Sequence, residues 1–219
     1  LHNLNRQIIY THEDIGRTKA GAAHSWLLQR HPHLNISSAV ERIGMSHILD
    51  LMSIPSEANQ ENLNEEDYID LDVDRRVLDA ELLKSFNIVF SGVDNLRTRG
   101  VLSALSARLD IPLINAGAQG FDGQLDIFIP GEDCMMCRYG RQIAKSTTVM
   151  SCQEDGEVPF SSIVTSTAIF GVLQGLALLA HLTTSENVEN NLKDWPTRIA
   201  WSGRRNSVMF EHKDGPGLF

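Results

Sequence analysis

The chain contains 16 glycines, yet nowhere do they fall into the G-x-G-x-x-G pattern of a phosphate-cradling loop. That absence, with the lack of a matching ribose-binding acid, counts against a dinucleotide-dependent oxidoreductase. Cysteine is scarce. There are three, two of them in a Cys-x-x-Cys, which excludes the dense disulfide framework of a small secreted domain. Basic charge is also in short supply. A net charge of −9 argues against a nucleic-acid binder, because phosphate contacts need a cationic surface. No basic-then-apolar leader opens the chain, so a cytoplasmic location is expected. The longest apolar run, Ile163 to Leu182, is interrupted by Thr165, Ser166, Thr167, Gln174 and His181. Such a run makes a poor membrane span and is expected to be a buried core helix. Neither repeats nor low-complexity tracts occur.

What is present alternates between two periods. Arg17 to His31 has apolar residues at helical spacing (Ala20, Ala23, Trp26, Leu27) and is closed by Pro32. Residues 33–40, "HLNISSAV", suit a strand. Val77 to Phe86 and Asn95 to Leu109 suit helices, the latter carrying Val101, Leu102 and Leu105. "NIVFS" at 87–91 fits a short buried strand, "PLINA" the next, and "GQLDIFI" at 123–129 alternates with period two. "TRIAWS" and "NSVMFE" follow as two more strands around a turn at "GRRN". This alternation predicts an α/β fold with a largely parallel sheet. Between Glu61 and Glu81 stand nine acids against two arginines, a net of −7. Asp70, Asp72 and Asp74 lack the glycine and closing glutamate of a calcium loop and are expected to be solvated.

In such a sheet ligands gather at the carboxyl ends of the strands. Asp94 follows "NIVFS" there, where a carboxylate can hold a Mg²⁺ that bridges phosphate oxygens, or can simply cap the next helix. Asn95 is a second candidate cap. Near the start, Arg6 and Lys19 could clamp phosphate, with Asn5 and Gln7 as polar support. Cys134 and Cys137 suit half of a zinc knuckle better than a redox pair. Cys152 is open to three roles: third zinc ligand, inert thiol or reactive thiol. Arg138, Arg141 and Lys145 precede it and would lower its pKa if they lie close.

Taken in order, "NLNRQ", "DIGRTKA", "VDNLRTR", "NAGAQGFDGQ", "CMMC", a lone cysteine and "GVLQGLALL" resemble one group of proteins over nearly the whole chain. This is the ubiquitin-activating superfamily and, within it, the ThiF/MoeB branch of adenylyltransferases. The resemblance implies a Rossmann-like three-layer sandwich with a mixed, mostly parallel sheet, forming one adenylation domain over 1–219. It implies ATP-dependent adenylation of the C-terminal carboxylate of a ubiquitin-like or sulfur-carrier protein, and a homodimer. By the same resemblance Arg6 and Lys19 contact ATP phosphates, with Asn5 and Gln7 in the same nucleotide-binding stretch. Asp94 belongs to the Mg²⁺-ATP site, with Asn95 and Arg99 in the motif around it. Cys134 and Cys137 match half of a structural Zn²⁺ site, and Cys152 the cysteine that in many members takes the carrier. Two departures accompany the match. The family's first strand and glycine loop would precede "NLNRQ", so a missing N-terminal segment is expected, and the second Cys-x-x-Cys does not appear. The acidic stretch 55–81 reads as an insertion. The rival within the superfamily is a non-catalytic subunit that binds a ubiquitin-like partner.

Overall fold

A computed structural model describes residue 4 and residues 7–40, 80–145, 163–182, 195–212 and 215–217. The expected adenylation domain divides into two compact units, Leu1–Lys84 and Ser85–Phe219, taken here one at a time. The acidic insertion falls almost wholly outside the described residues.

In the first unit the chain from Gln7 turns repeatedly before entering a helix. Thr11 caps a short 3₁₀ turn, His12–Asp14, with a reciprocal box: Asp14 accepts from the Thr11 N–H at 2.8 Å, and the Thr11 hydroxyl accepts from Glu13. Helix α1, Lys19–Arg30, starts at Thr18, whose hydroxyl accepts from the Gly21 N–H at 3.2 Å. It ends at His31 before Pro32, which cannot continue it. Arg17 ties the turns to the helix, pairing with Asp14 at 3.2 Å and donating to Ser25 at 2.9 Å. Residues 34–40 form no strand, contrary to expectation. A strand exists only where a neighbouring strand takes up its amides, and no described strand pairs with this stretch; the Leu34 N–H instead donates to the His31 carbonyl at 3.1 Å. Helix α2, Ala80–Lys84, is a short piece of the helix expected over 77–86.

The second unit is built on a six-stranded sheet in the order β1 to β6. The strands are β1 (Val89–Ser91), β2 (Leu113–Gln119), β3 (Asp122–Phe128), β4 (Arg198–Ser202), β5 (Ser207–His212) and β6 (Gly215–Gly217). β1 runs parallel to β2, crossing over through helix α3, Leu96–Leu109. Every later neighbour is antiparallel. The sheet is therefore mixed, as expected, but among the described residues only one pairing is parallel. The reason is local. Gly120, at φ +60°, turns the chain straight from β2 into β3, and Asn206, at φ +49°, closes the β4–β5 hairpin, and tight turns permit only antiparallel neighbours.

Helices cover both faces, giving the α/β sandwich. On one face Ile114, Ala116, Leu125, Ile127 and Ile199 meet Phe170 and Ala177 of α5, Val164–Leu182. On the other, Leu113 and Phe128 pack with Met135, the first residue of α4, Met135–Lys145, and with Leu96 of α3. Burying a side chain the size of Phe170 contributes about 2–3 kcal/mol. The expectation of a buried core helix for 163–182 holds on one side of α5 only. Ser166 donates to the Gly120 carbonyl at 2.8 Å, while Val172 and Leu182 are 62% and 65% exposed. A helix lying on a sheet touches it with a single stripe, and no described residue covers the opposite one. By length and composition α5 would also suit a membrane span.

Candidate active site

The carboxyl ends of the parallel pair are where a ligand is expected, and the residues there are tightly organised. β1 ends at the fully buried Ser91, and the chain then turns through 92–95 into α3. Asp94 is exposed in that loop, just past the strand's end. Asn95 caps α3, its side-chain oxygen accepting from the Thr98 N–H at 2.7 Å. Capping the helix is thus Asn95's work rather than Asp94's, which leaves the Asp94 carboxylate available.

Arg99 lies one turn into α3 and is turned into the protein. It donates to the Val93 carbonyl, to the Ala116 carbonyl at 2.6 Å and to the Asn115 side-chain oxygen at 2.6 Å. Burial lowers its pKa, opposed by the charges of Asp126 and Asp94. Gln174, in the middle of α5, donates to the Ser91 and Ile114 carbonyls, both at 3.1 Å, and ties the end of β1 to the start of β2. Its role was not anticipated. The one available signal was an amide in the middle of the apolar stretch 168–180.

Behind this edge sits a charged network centred on Asp126, which is 0% exposed. The carboxylate accepts from Tyr139 at 2.8 Å, Gln124 at 3.1 Å, Asn115 at 3.4 Å and Arg138 at 3.2 Å. Arg138 also pairs with Asp133 and donates to the Thr197 carbonyl at 3.1 Å. Burial pushes the Asp126 carboxyl up, against the downward pull of Tyr139 and the two arginines, Arg138 and Arg198. The alternation of "GQLDIFI" places Asp126 on the face opposite Leu125 and Ile127 but says nothing of what covers it. Helix α4 covers that face through Arg138 and Tyr139.

Cys134 and Cys137 stand at the start of α4 with their sulfurs 2.7 Å apart, and Cys137 is exposed. The Cys134 N–H donates to Asp133 at 2.7 Å. A tetrahedral zinc needs four donors, and among the described residues no group of three or more potential ligands gathers. These two thiols alone do not make a zinc centre. Arg138, expected to supply a positive neighbourhood for Cys152, is instead engaged by Asp126 and Asp133.

Of the remaining candidates, Lys19 is the exposed first residue of α1 and Gln7 is half-buried in the turns before it, both in the first unit. Asn5, Arg6 and Cys152 lie outside the described residues. Asp94, Asn95 and Arg99 are brought together in the second unit.

Comparison with known proteins bears on what such an edge does. The sequence profile of the ThiF family matches residues 1–205. Among curated proteins, the chain is 27% identical over 199 residues to the "Ubiquitin-activating enzyme E1-like" protein of Saccharomyces cerevisiae, covering 90% of this chain and 26% of that protein. It is 28% identical over 141 residues to the "Sulfur carrier protein ThiS adenylyltransferase" of Escherichia coli, covering 64% of this chain and 44% of the relative. The chain thus spans less than half of either. Among solved structures, E. coli MccB with AMPCPP and SeMet MccA superposes with a TM-score of 0.62 at 15% identity, over 96% of this chain and 52% of that one. PaaA superposes with a TM-score of 0.59 at 13% identity, over 97% and 61%. At these identities the two structures speak for the fold alone.

Proposed function

We propose, since this chain belongs to the ThiF family, that the protein containing it adenylates the C-terminal carboxylate of a ubiquitin-like or sulfur-carrier protein at the expense of ATP. The observation that carries the reading is Asp94, exposed at the carboxyl end of the parallel pair with its neighbours Asn95 and Arg99 already occupied by the fold. Named relatives that adenylate a sulfur carrier or resemble a ubiquitin-activating enzyme support the same chemistry.

The reaction is a phosphoryl-centre substitution. A carrier carboxylate oxygen bonds to the α-phosphorus of ATP as the bond from that phosphorus to the bridging oxygen of the β-phosphate breaks, releasing pyrophosphate. No proton changes hands, so the protein's task is to align the reactants and to offset charge. In the proposal Arg6 and Lys19 do so as cations from the N-terminal stretch, with Asn5 and Gln7 beside them, and Asp94 would hold a Mg²⁺. A magnesium ion bound there would neutralise developing charge on the phosphate oxygens. Cys152 then accepts the activated carrier as a thioester, with AMP as the leaving group. Two copies associate, and the outward apolar face of α5 (Val172, Leu176, Leu179, Leu182) favours that assembly.

The test is carrier-dependent exchange of labelled pyrophosphate into ATP by the full-length protein. Alanine at Arg6 or Lys19 should each slow exchange by roughly 10- to 100-fold, the worth of one charge-assisted phosphate contact, and alanine at Asp94 should slow it through loss of a Mg²⁺ ligand. Cys152→Ala should leave exchange intact and abolish any covalent carrier adduct. A full-length protein that binds a carrier but never exchanges pyrophosphate would support the non-catalytic reading instead.

A further inference from the structure

The loop that carries Asp94 is held from behind by a single guanidinium. Arg99 reaches back under residues 92–95, where its Nη2 donates to the carbonyl of Val93, the residue immediately before Asp94. Its Nη1 meanwhile donates to β2, at the Ala116 carbonyl and the Asn115 Oδ1, both at 2.6 Å. β2 makes room for this at Gly117. A Cβ there would lie 2.9 Å from Arg99 Nη2, so the guanidinium would have to shift, and its hydrogen bonds to Val93, Asn115 and Ala116 oppose that shift. The Asn115 amide in turn reaches Asp126 at 3.4 Å, so the strap is anchored in the buried network. Asn95 is committed as well, to the Thr98 N–H. Of these three residues only Asp94 is exposed.

We infer that Arg99 is a positioning residue: it straps the Val93 carbonyl to β2 and so fixes the Asp94 carboxylate at the carboxyl end of the parallel pair, without itself touching the nucleotide. The inference rests on the adenylation reading for its functional consequence, but the strap itself is a property of the fold. An arginine that reads a phosphate presents its fork outward. To do that, Arg99 would have to abandon three oxygen acceptors, and buried acceptors left unpaired are costly. The arrangement also explains a glycine at 117. The strand needs no left-handed residue there, but a guanidinium lies against its backbone.

Three variants of the full-length protein separate position from charge: Arg99→Gln, Gly117→Ala and, as a control, Asp94→Asn. Gly117→Ala keeps the arginine and its charge but displaces the guanidinium from β2, a mild change should Arg99→Gln fail to fold. Amide hydrogen exchange at residues 92–95 is read without nucleotide, and carrier-dependent pyrophosphate exchange is read across a Mg²⁺ titration. Expected are faster amide exchange in that loop and an activity loss of about 10²-fold, as a misplaced reacting geometry produces. The Mg²⁺ requirement should rise in both Arg99→Gln and Gly117→Ala. Asp94→Asn should lose activity with loop protection unchanged. Activity lost with the loop amides still protected would mean that Arg99 meets the nucleotide directly and would overturn the inference. A loosened loop with full activity would overturn it too. Should the wild-type protein show no pyrophosphate exchange, the adenylation reading fails, and the amide measurement still decides whether Arg99 holds the loop.

Discussion

Replacing Arg138 with methionine would test the buried network most directly. The change keeps much of the side-chain volume and removes the cation that bonds Asp126 at 3.2 Å, pairs with Asp133 and stacks 4.8 Å over Phe128. Stripping one partner from a buried ion pair costs about 3–5 kcal/mol, because the remaining charge is stranded. Here the low end applies. Asp126 would keep Tyr139 at 2.8 Å and Gln124 at 3.1 Å, with Arg198 at 3.8 Å, and the Arg138 side chain is itself 17% exposed. We therefore expect a loss of about 3 kcal/mol. For a unit spanning Ser85–Phe219 that corresponds to a drop in Tm of roughly 10 °C. Circular dichroism melts would read it. The double variant Asp126→Asn/Arg138→Met removes both charges and should recover at least half of the loss, since a neutral pair strands nothing. If Arg138→Met alone melts no lower than the double variant, Asp126 is not held as a buried anion and the reasoning fails. The pH dependence gives a second check. Burial raises the Asp126 pKa, so its stabilising contribution is complete below the unfolded value of 3.8 and declines as pH rises through the folded one. The stability of the wild-type protein relative to Asp126→Asn should therefore grow as pH falls from neutrality towards 4.

Tyr139 is held protonated by burial first and then by the neighbouring Asp126, which raise its pKa well above 10. Its contribution is complete below pH 10 and is lost as pH rises towards the folded pKa, so phenolate absorbance at 295 nm should show a late step that coincides with alkaline unfolding and vanishes in Tyr139→Phe. Ionisation of every tyrosine near pH 10 in the folded protein would contradict this. Gly123→Ala places a methyl group into the ring of Phe170, which is 2% exposed and has nowhere to go. Overpacking of this kind should cost about 1–3 kcal/mol in denaturant unfolding, and Gly123→Ala/Phe170→Leu should recover part of it. An unchanged midpoint in the single variant would show that the core yields there.

Much of this fold was legible along the chain because its signals are local. A period-two run marked β3, two apolar runs around a turn at 203–206 marked β4 and β5, and a Thr or Asn stood before two of the helices, at Thr18 and Asn95. The ordered motifs were enough to identify the family, because residue identity and spacing survive in the sequence whatever the packing does. Asp94 stood out for a similarly local reason, being the acid that follows an apolar strand.

Tertiary structure alone decided where charges end up and which strands become neighbours. Alternation says that Leu125 and Asp126 face opposite sides of a sheet; it cannot say that α4 will cover the second side and bury the acid. The pattern "DNLRTR" shows an arginine one turn into a helix but not that its fork closes on Val93, Asn115 and Ala116. Nor does an apolar run reveal that only one stripe of α5 meets the sheet, or that Gln174 within it joins β1 to β2. Each of these depends on groups brought together from distant parts of the chain. Burial is a property of that assembled neighbourhood, whereas period, cap and motif belong to the chain itself.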